Sequence, residues 1–405
     1  MLSFRCFLLS SVIALAPTAA YAYTYTICMK HLVHVVDSGL GEDYEVSSSG
    51  YSAWVSRGTK VRVHKGGVWS AYDKTNTTTG CFTYSSGAGG AADIELTAQH
   101  TLANNQNLYI RNNYGTPVTK VWTFATTLPA SNATLTFYTP YGNESNLSAI
   151  APWVVHRITS LTGNLPQAAN KYLYVFNENC SAYSGSCDGS AFAYGVQSLF
   201  IAPEYNHSER KFLVGHEVAH WIERWWGNNV GGVGGYGYND NDPDCEFTGL
   251  GDHSMFSLEV DFPAYIEGIA HFISAVAWND PSQGSGVFKF YKVDGWYDND
   301  TVLLDTPGDF SFDWEGSECA PKEEGKSVEG DWLRHFWNYL NDPTGLDFNP
   351  SMVDIAEMIA QMYDTGTFTS TTAYASLTEA LDDAGYGIFT SHWENHAEDH
   401  GVVDP

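Results

Sequence analysis

The chain has 405 residues and a formal net charge of −28, from 19 Lys and Arg against 47 Asp and Glu. Such acidity gives no footing on phosphate backbones or anionic lipid, so nucleic acid and membrane surfaces are excluded as partners, and the charge reads as solubility outside the cell. With 43% hydrophobic and 15% aromatic residues, the chain has the material for large cores, and its length suits two or three domains.

The opening stretch MLSFRCFLLSSVIALAPTAAYA carries Arg5, an apolar run from Phe7 to Ala16 and small residues ending in Ala20-Tyr21-Ala22. That is the pattern of a secretory signal peptide over residues 1–22, and it predicts a secreted protein, extracellular or periplasmic, starting at Tyr23. No later stretch approaches the roughly 18 uninterrupted apolar residues of a spanning helix. Beyond Cys6, the six remaining cysteines favour disulfides in an exported chain, and proximity and loop length pair them as Cys28–Cys81, Cys180–Cys187 and Cys245–Cys319.

From Tyr23 to about residue 145, short alternating segments are separated by turn residues: KHLVHVV, YSAWVS, KVRVHKGGVWSAY, CFTYSS, ADIELTA, LYIRN, VTKVWTFAT and ATLTFYT. They predict an all-β sandwich. The stretch VRVHKGGVWSAYDKTNTTTGCFTY resembles the small Ig-like or transthyretin-like modules that precede some secreted enzymes, which implies a spacer or a glycan- or substrate-binding role.

The polar segment TPYGNESNLS reads as a linker, and residues 146–405 then mix helices and strands, with a mainly helical C-terminal lobe. PWVVHRITSLTG predicts a helix, KYLYVFNEN and SLFIAPEYN predict strands, and SERKFLVGHEVAHWIERWW predicts a long helix opened by a capping box from Asn206 to Glu209. In that helix His216 and His220 are four residues apart, about 40° round the axis at roughly 100° per residue, so one face is able to hold one ion. Glu217 lies one step round, placed to touch a water on the same ion. Val214, Val218, Trp221 and Trp225 form a separate apolar stripe.

The glycine-rich GNNVGGVGGYGYNDNDPD follows, with Asp240, Asp242 and Asp244 at alternate positions as a candidate Ca²⁺ site lacking a full loop signature. A three-protein-ligand zinc site needs one more donor. The candidates are Glu267, His253, Glu259 and Asp261. Glu267 stands out because DFPAYIEGIAHFISAVAW is an apolar helix with Pro263 at its start, on which Ala264, Glu267, His271 and Ser274 share a face; a carboxylate buried there needs a cation or partner.

HEVAH preceded by the strand SLFIAPE and followed by Tyr-Ile-Glu-Gly-x-Ala resembles the gluzincin branch of the zincin metallopeptidases over roughly residues 150–340. The resemblance implies Zn²⁺ on His216, His220 and Glu267, Glu217 as general base, and SLFIAPE as the sheet edge along which an extended peptide pairs. His271 stands where many relatives carry an Asp that orients a ligand histidine, and Glu259 is a substitute for that role. Candidate oxyanion donors are Arg334 and His335 in KSVEGDWLRHFWNYL, and Tyr236 or Tyr238. His392, His396 and His400 near the C-terminus read as an exposed terminal helix. The expected function is a secreted zinc peptidase acting on a peptide or protein substrate. The competing reading is an exported glycan- or protein-binding, adhesin-like protein on a degenerate zincin scaffold; Glu217 alongside both histidines favours the enzyme. Asn76, Asn132, Asn143, Asn146, Asn206 and Asn299 head glycosylation sequons.

Overall fold

The structure is a computed structural model that describes residues 22–35, 51–163, 171–185, 190–193, 197–227, 258–279, 326–341, 350–365, 373–383, 390–399 and 402. Residues 1–21 of the expected signal segment, Cys187, Cys245, Cys319, His253, Tyr236, Tyr238, Asp240, Asp242, Asp244, Asn299 and His400 lie outside the described residues.

The architecture is mixed α/β. A four-stranded sheet is built on β1 (Tyr23–His34), which pairs parallel with β10 (Ala133–Thr139) and antiparallel with β2 (Tyr51–Val55) and β6 (Cys81–Ser86). Tyr25, Ile27, Met29, His31 and Val33 of β1 are buried and the residues between them are not, which is the period-2 alternation expected of a half-covered strand. Cys28 and Cys81 face each other in the β1–β6 register and form a disulfide, and Cys180 is also disulfide-bonded.

The second sheet has nine strands. Its core is β3 (Thr59–Lys65), β7 (Gly90–Thr101), β8 (Asn107–Arg111) and β11 (Tyr172–Phe176), with β4 (Val68–Trp69), β5 (Asp73–Lys74) and β9 (Val121–Leu128) attached. Past β11 come β13 (Ser198–Phe200) and β12 (Ala191–Ala193). The sandwich expected to end at residue 145 therefore shares one sheet with strands from beyond that point: β8 pairs with β11 in parallel register from Tyr172↔Asn107 to Phe176↔Arg111. The inner faces of both sheets and the helices that follow form one continuous apolar core.

Residues read from sequence as a linker begin a helix, α1 (Asn143–Thr162). Its polar first turns are consumed by distant partners: Asn146 Oδ1 accepts from the His34 backbone N–H at 3.0 Å, and Asn143 Oδ1 accepts from Ser208 at 3.0 Å. Asn146 is fully buried, so its sequon is closed to glycan in the folded protein. The capping box at Asn206 is also absent. Asn206 sits in the left-handed region at φ 54°, residues His207–Glu209 form a 3-10 turn, and α2 (Lys211–Trp226) starts after it without a side-chain cap. Glu209 instead accepts from Tyr141 and from His34 Nδ1, tying the entry of α2 to β1.

The described part that follows is a helical layer: β14 (Leu258–Val260) and β15 (Lys326–Val328) pair in a small ribbon, α3 (Asp261–Trp278) and α5 (Met352–Thr365) pack on α2, α4 (Glu329–Asn341) packs on α3, α6 (Ala373–Asp383) on α5 and α3, and α7 (Thr390–Asp399) on α4 and α6. Every residue of α3 is buried. Trp278 at its end meets Trp54 of β2 at 5.7 Å and Trp153 of α1 at 6.2 Å, so an aromatic seam joins helices to sheets. Among the described residues no helix is long and apolar enough to cross a membrane.

A buried polar chain runs through the sandwich. Ser145 meets Thr139, Thr139 meets His31 Nδ1 at 3.3 Å, His31 Nε2 meets Ser56 at 2.9 Å, and Ser56 reaches His100 through Thr59. Burial, reinforced by their mutual repulsion, pushes His31 well below its ordinary range. Burial brings His100 down to about 4 against a hydrogen bond to the Arg57 carbonyl that pulls the other way. The folded protein holds both rings neutral, so their contribution is complete above an ordinary histidine pKa of about 6.5 and is lost as pH falls toward 4. We predict that urea unfolding free energy falls between pH 7 and pH 5, with about 2 kcal/mol of the fall belonging to His100. His100→Gln should flatten the profile by that amount; an unchanged slope in the variant would place the acid sensitivity elsewhere.

Candidate metal centre

The helices α2 and α3 cross closely because the residue at the crossing has no side chain. A Cβ built on Gly215 would lie 2.5 Å from Ser274 Oγ and 2.9 Å from Trp278 Nε1. Ser274 completes the contact by donating to the Phe212 carbonyl at 2.8 Å. One and two turns back toward the start of α3, the same face carries His271 and Glu267 toward α2.

There the sequence-predicted donors meet. His216 Nε2 lies 2.9 Å from Glu267 Oε2, His220 Nε2 lies 3.1 Å from the same oxygen, and the two Nε2 atoms are 3.1 Å apart. His216, Glu217, His220 and Glu267 are each at most 8% exposed. Two imidazole nitrogens and a carboxylate oxygen thus form a triangle about a point. Tetrahedral zinc with bonds of about 2.0–2.1 Å separates its donors by about 3.3 Å, so this triangle needs only a slight expansion to fit. Without a cation, three buried donors this close must be reconciled by ring protons alone, at a cost in desolvation.

The electrostatics are correspondingly uneven. Burial, then the neighbouring His271, drive His216 down to about 3 in spite of its bond to Glu267. Burial also opposes the charge on His220, but Glu267, by charge and hydrogen bond, together with Glu217 and Glu223, outweighs it and raises His220 to about 9. Glu223, one turn beyond His220, is pushed by burial up to about 7 although Tyr363 of α5 donates a hydrogen bond to it.

Two groups outside the triangle reach it. His271 Nδ1 is 3.1 Å from His216 Nδ1, and His271 Nε2 is 3.2 Å from Glu329 Oε2 in the first turn of α4. Gly268 allows that approach, because a Cβ there would lie 2.8 Å from the Glu329 carbonyl oxygen and 2.3 Å from Trp332 Cβ. Sequence reasoning missed Glu329. Its signal was present: like Glu267, it is a carboxylate followed by glycine and set on a helix rich in aromatic residues, Trp332, Phe336 and Trp337.

The remaining candidates go elsewhere. Asp261 accepts from Ser327 at 3.1 Å and from the Ala373 backbone N–H, fastening α3 to β15 and α6. Glu259 lies on β14 opposite Ser327. Arg334 donates to Asp331 at 3.1 Å, and His335 is packed edge-on to Trp393 at 4.0 Å, on the side of α4 that meets α7. His392 and His396, expected on an exposed helix, are buried, with their rings 4.5 Å apart and His392 against Tyr339. The aromatic Trp393 beside them draws α7 onto α4. The strand SLFIAPE is also no edge: β13 lies between β11 and β12, and β12 is the outermost strand.

Comparison with family models, with curated proteins and with solved structures returns no match.

The crossing at Gly215 yields a direct prediction. Gly215→Ala should part α2 from α3, lowering stability by about 1–3 kcal/mol, and should weaken metal retention measured by dialysis and elemental analysis. Gly215→Ala/Ser274→Ala, which removes the nearest clash, should recover part of both. A Gly215→Ala protein with wild-type melting and metal content would show that the crossing has slack.

Proposed function

We propose that the protein is a zinc-dependent hydrolase of peptide bonds working in an oxidising compartment outside the cytosol. The observation that carries this reading is the triangle of His216, His220 and Glu267, the one group of His, Cys, Asp and Glu side chains among the described residues arranged to hold a metal ion, with Glu217 buried one step round the same helix. The cysteine usage and the Cys28–Cys81 disulfide support the compartment.

His216 and His220 offer neutral imidazoles and Glu267 offers one negative charge, which suits a divalent ion of borderline softness. Zn²⁺ in that triangle supplies a Lewis acid that polarises a carbonyl and makes a water acidic near neutral pH. Glu217 is the residue left to move protons: its carboxylate takes the proton of the attacking water and delivers it to the leaving amine nitrogen. Glu267, as donor, cannot share that duty. The apolar packing around the site, with Phe212, Ala264, Ile266 and Ala270 buried near the donors in sequence, keeps these charges in a low-dielectric setting where they act strongly. Substrate pairing along a sheet edge would fall to β12 rather than β13.

Glu217→Gln keeps the shape of the side chain and removes its basicity. The variant should hold about one zinc per chain with wild-type melting and lose at least about 10³-fold in hydrolysis of a peptide library. Glu267→Ala should lose zinc and activity together. A wild-type protein that carries zinc but cleaves nothing, indistinguishable from Glu217→Gln, would refute the hydrolase reading.

A further inference from the structure

The contacts around His216 specify where its ring protons sit. His216 Nε2 is the atom that faces His220 and Glu267, and Nδ1 is the atom that faces His271. An imidazole that gives its Nε2 lone pair to a cation and stays neutral must carry its hydrogen on Nδ1. Along the 3.1 Å contact that N–H points to His271 Nδ1, which must then present a lone pair. A neutral His271 with a bare Nδ1 carries its hydrogen on Nε2, and Nε2 is the atom 3.2 Å from the Glu329 carboxylate. Each of the four atoms is thereby given one role, and none is given two.

We infer that His271 and Glu329 are positioning residues that act as a two-step hydrogen-bond relay, Glu329 to His271 to His216, fixing the tautomer and ring plane of one metal donor from a separate helix. This rests on the reading of His216, His220 and Glu267 as a metal site. The relay replaces a direct carboxylate with an imidazole and moves the carboxylate from α3 to the first turn of α4. All three side chains are buried, so water does not compete for these bonds. Glu329 also suits its own place, since a negative charge is favoured at a helix N-terminus. The depth of Glu329 is set by Gly268, whose missing Cβ lets the α4 backbone approach α3. The consequence is that two helices, rather than one, hold the first histidine in register with its partners. Loss of such supporting contacts ordinarily weakens metal binding by about 10–100-fold.

The test uses Zn²⁺ alone, titrated into the metal-free full-length protein against a chromogenic chelator, so no activity is needed. His271→Leu and Glu329→Leu break the relay and should each lower zinc affinity by about 10–100-fold. His271→Gln places an amide whose oxygen accepts from His216 and whose nitrogen donates to Glu329; it should stay within a few-fold of wild type, a rescue that simple packing would not give. In parallel, ¹⁵N histidine spectra of the zinc-loaded wild-type protein should show His216 protonated on Nδ1. Leu variants that bind as tightly as wild type, a Gln variant as weak as the Leu variant, or His216 protonated on Nε2 would each overturn the relay, the last even where a variant fails to fold. Wild-type protein that takes up no zinc would instead refute the metal site beneath it.

Discussion

The contact between α2 and α3 governs this molecule, because it buries two histidines and a glutamate with their polar atoms about 3 Å apart. In an apolar interior such a group is costly unless something positive lies between the donors or the protons are distributed to suit. The uneven tuning of His216 downward and His220 upward is the metal-free response to that constraint. A divalent cation resolves it more completely, since all three donors then face a single charge. The close crossing at Gly215 and Ser274 and the second close approach at Gly268 make the geometry attainable, and both depend on an absent side chain.

The remainder of the fold holds α2 in place along its length. Glu209 binds the entry to β1 through His34 and to the turn before α1 through Tyr141, Trp221 Nε1 donates to the Tyr172 carbonyl of β11 at 3.0 Å, and Glu223 accepts from Tyr363 of α5 near the exit. The nine-stranded sheet and the helical layer therefore both hold α2. β8 and β11 pair directly, and Trp221 fastens the histidine helix to β11. The buried His31 and His100 network stiffens the same sheets from within.

What could be read from the sequence follows the range of the interactions involved. The strands of the first sheets were legible because period-2 alternation is a local property, and α3 was legible because Pro263 and an unbroken apolar run mark it. The facing of Glu267, His271 and Ser274 likewise follows from helical spacing alone. Asn143 to Ser148 were misread as a linker because their polar side chains are satisfied by His34 and Ser208, far away in the chain. Asn206 and Glu209 had the spelling of a cap, but Glu209 was claimed by β1. Glu329 carries a local sign, a carboxylate followed by glycine on an aromatic helix, but its partner His271 is 58 residues earlier, so its role depends on a contact that spacing within α4 does not specify. The buried histidines of α7 were missed because the framework that covers them comes from α4.

X-ray absorption at the zinc edge reads directly whether His216, His220 and Glu267 hold one metal ion together. Protein purified without chelators should contain about one zinc per chain with a first shell of two imidazole nitrogens and carboxylate or water oxygen at about 2.0–2.1 Å and no sulfur near 2.3 Å. That shell should disappear in Glu267→Ala. A sulfur-containing shell, or full zinc retention with an unaltered shell in that variant, would mean that these three side chains are not the metal's donors.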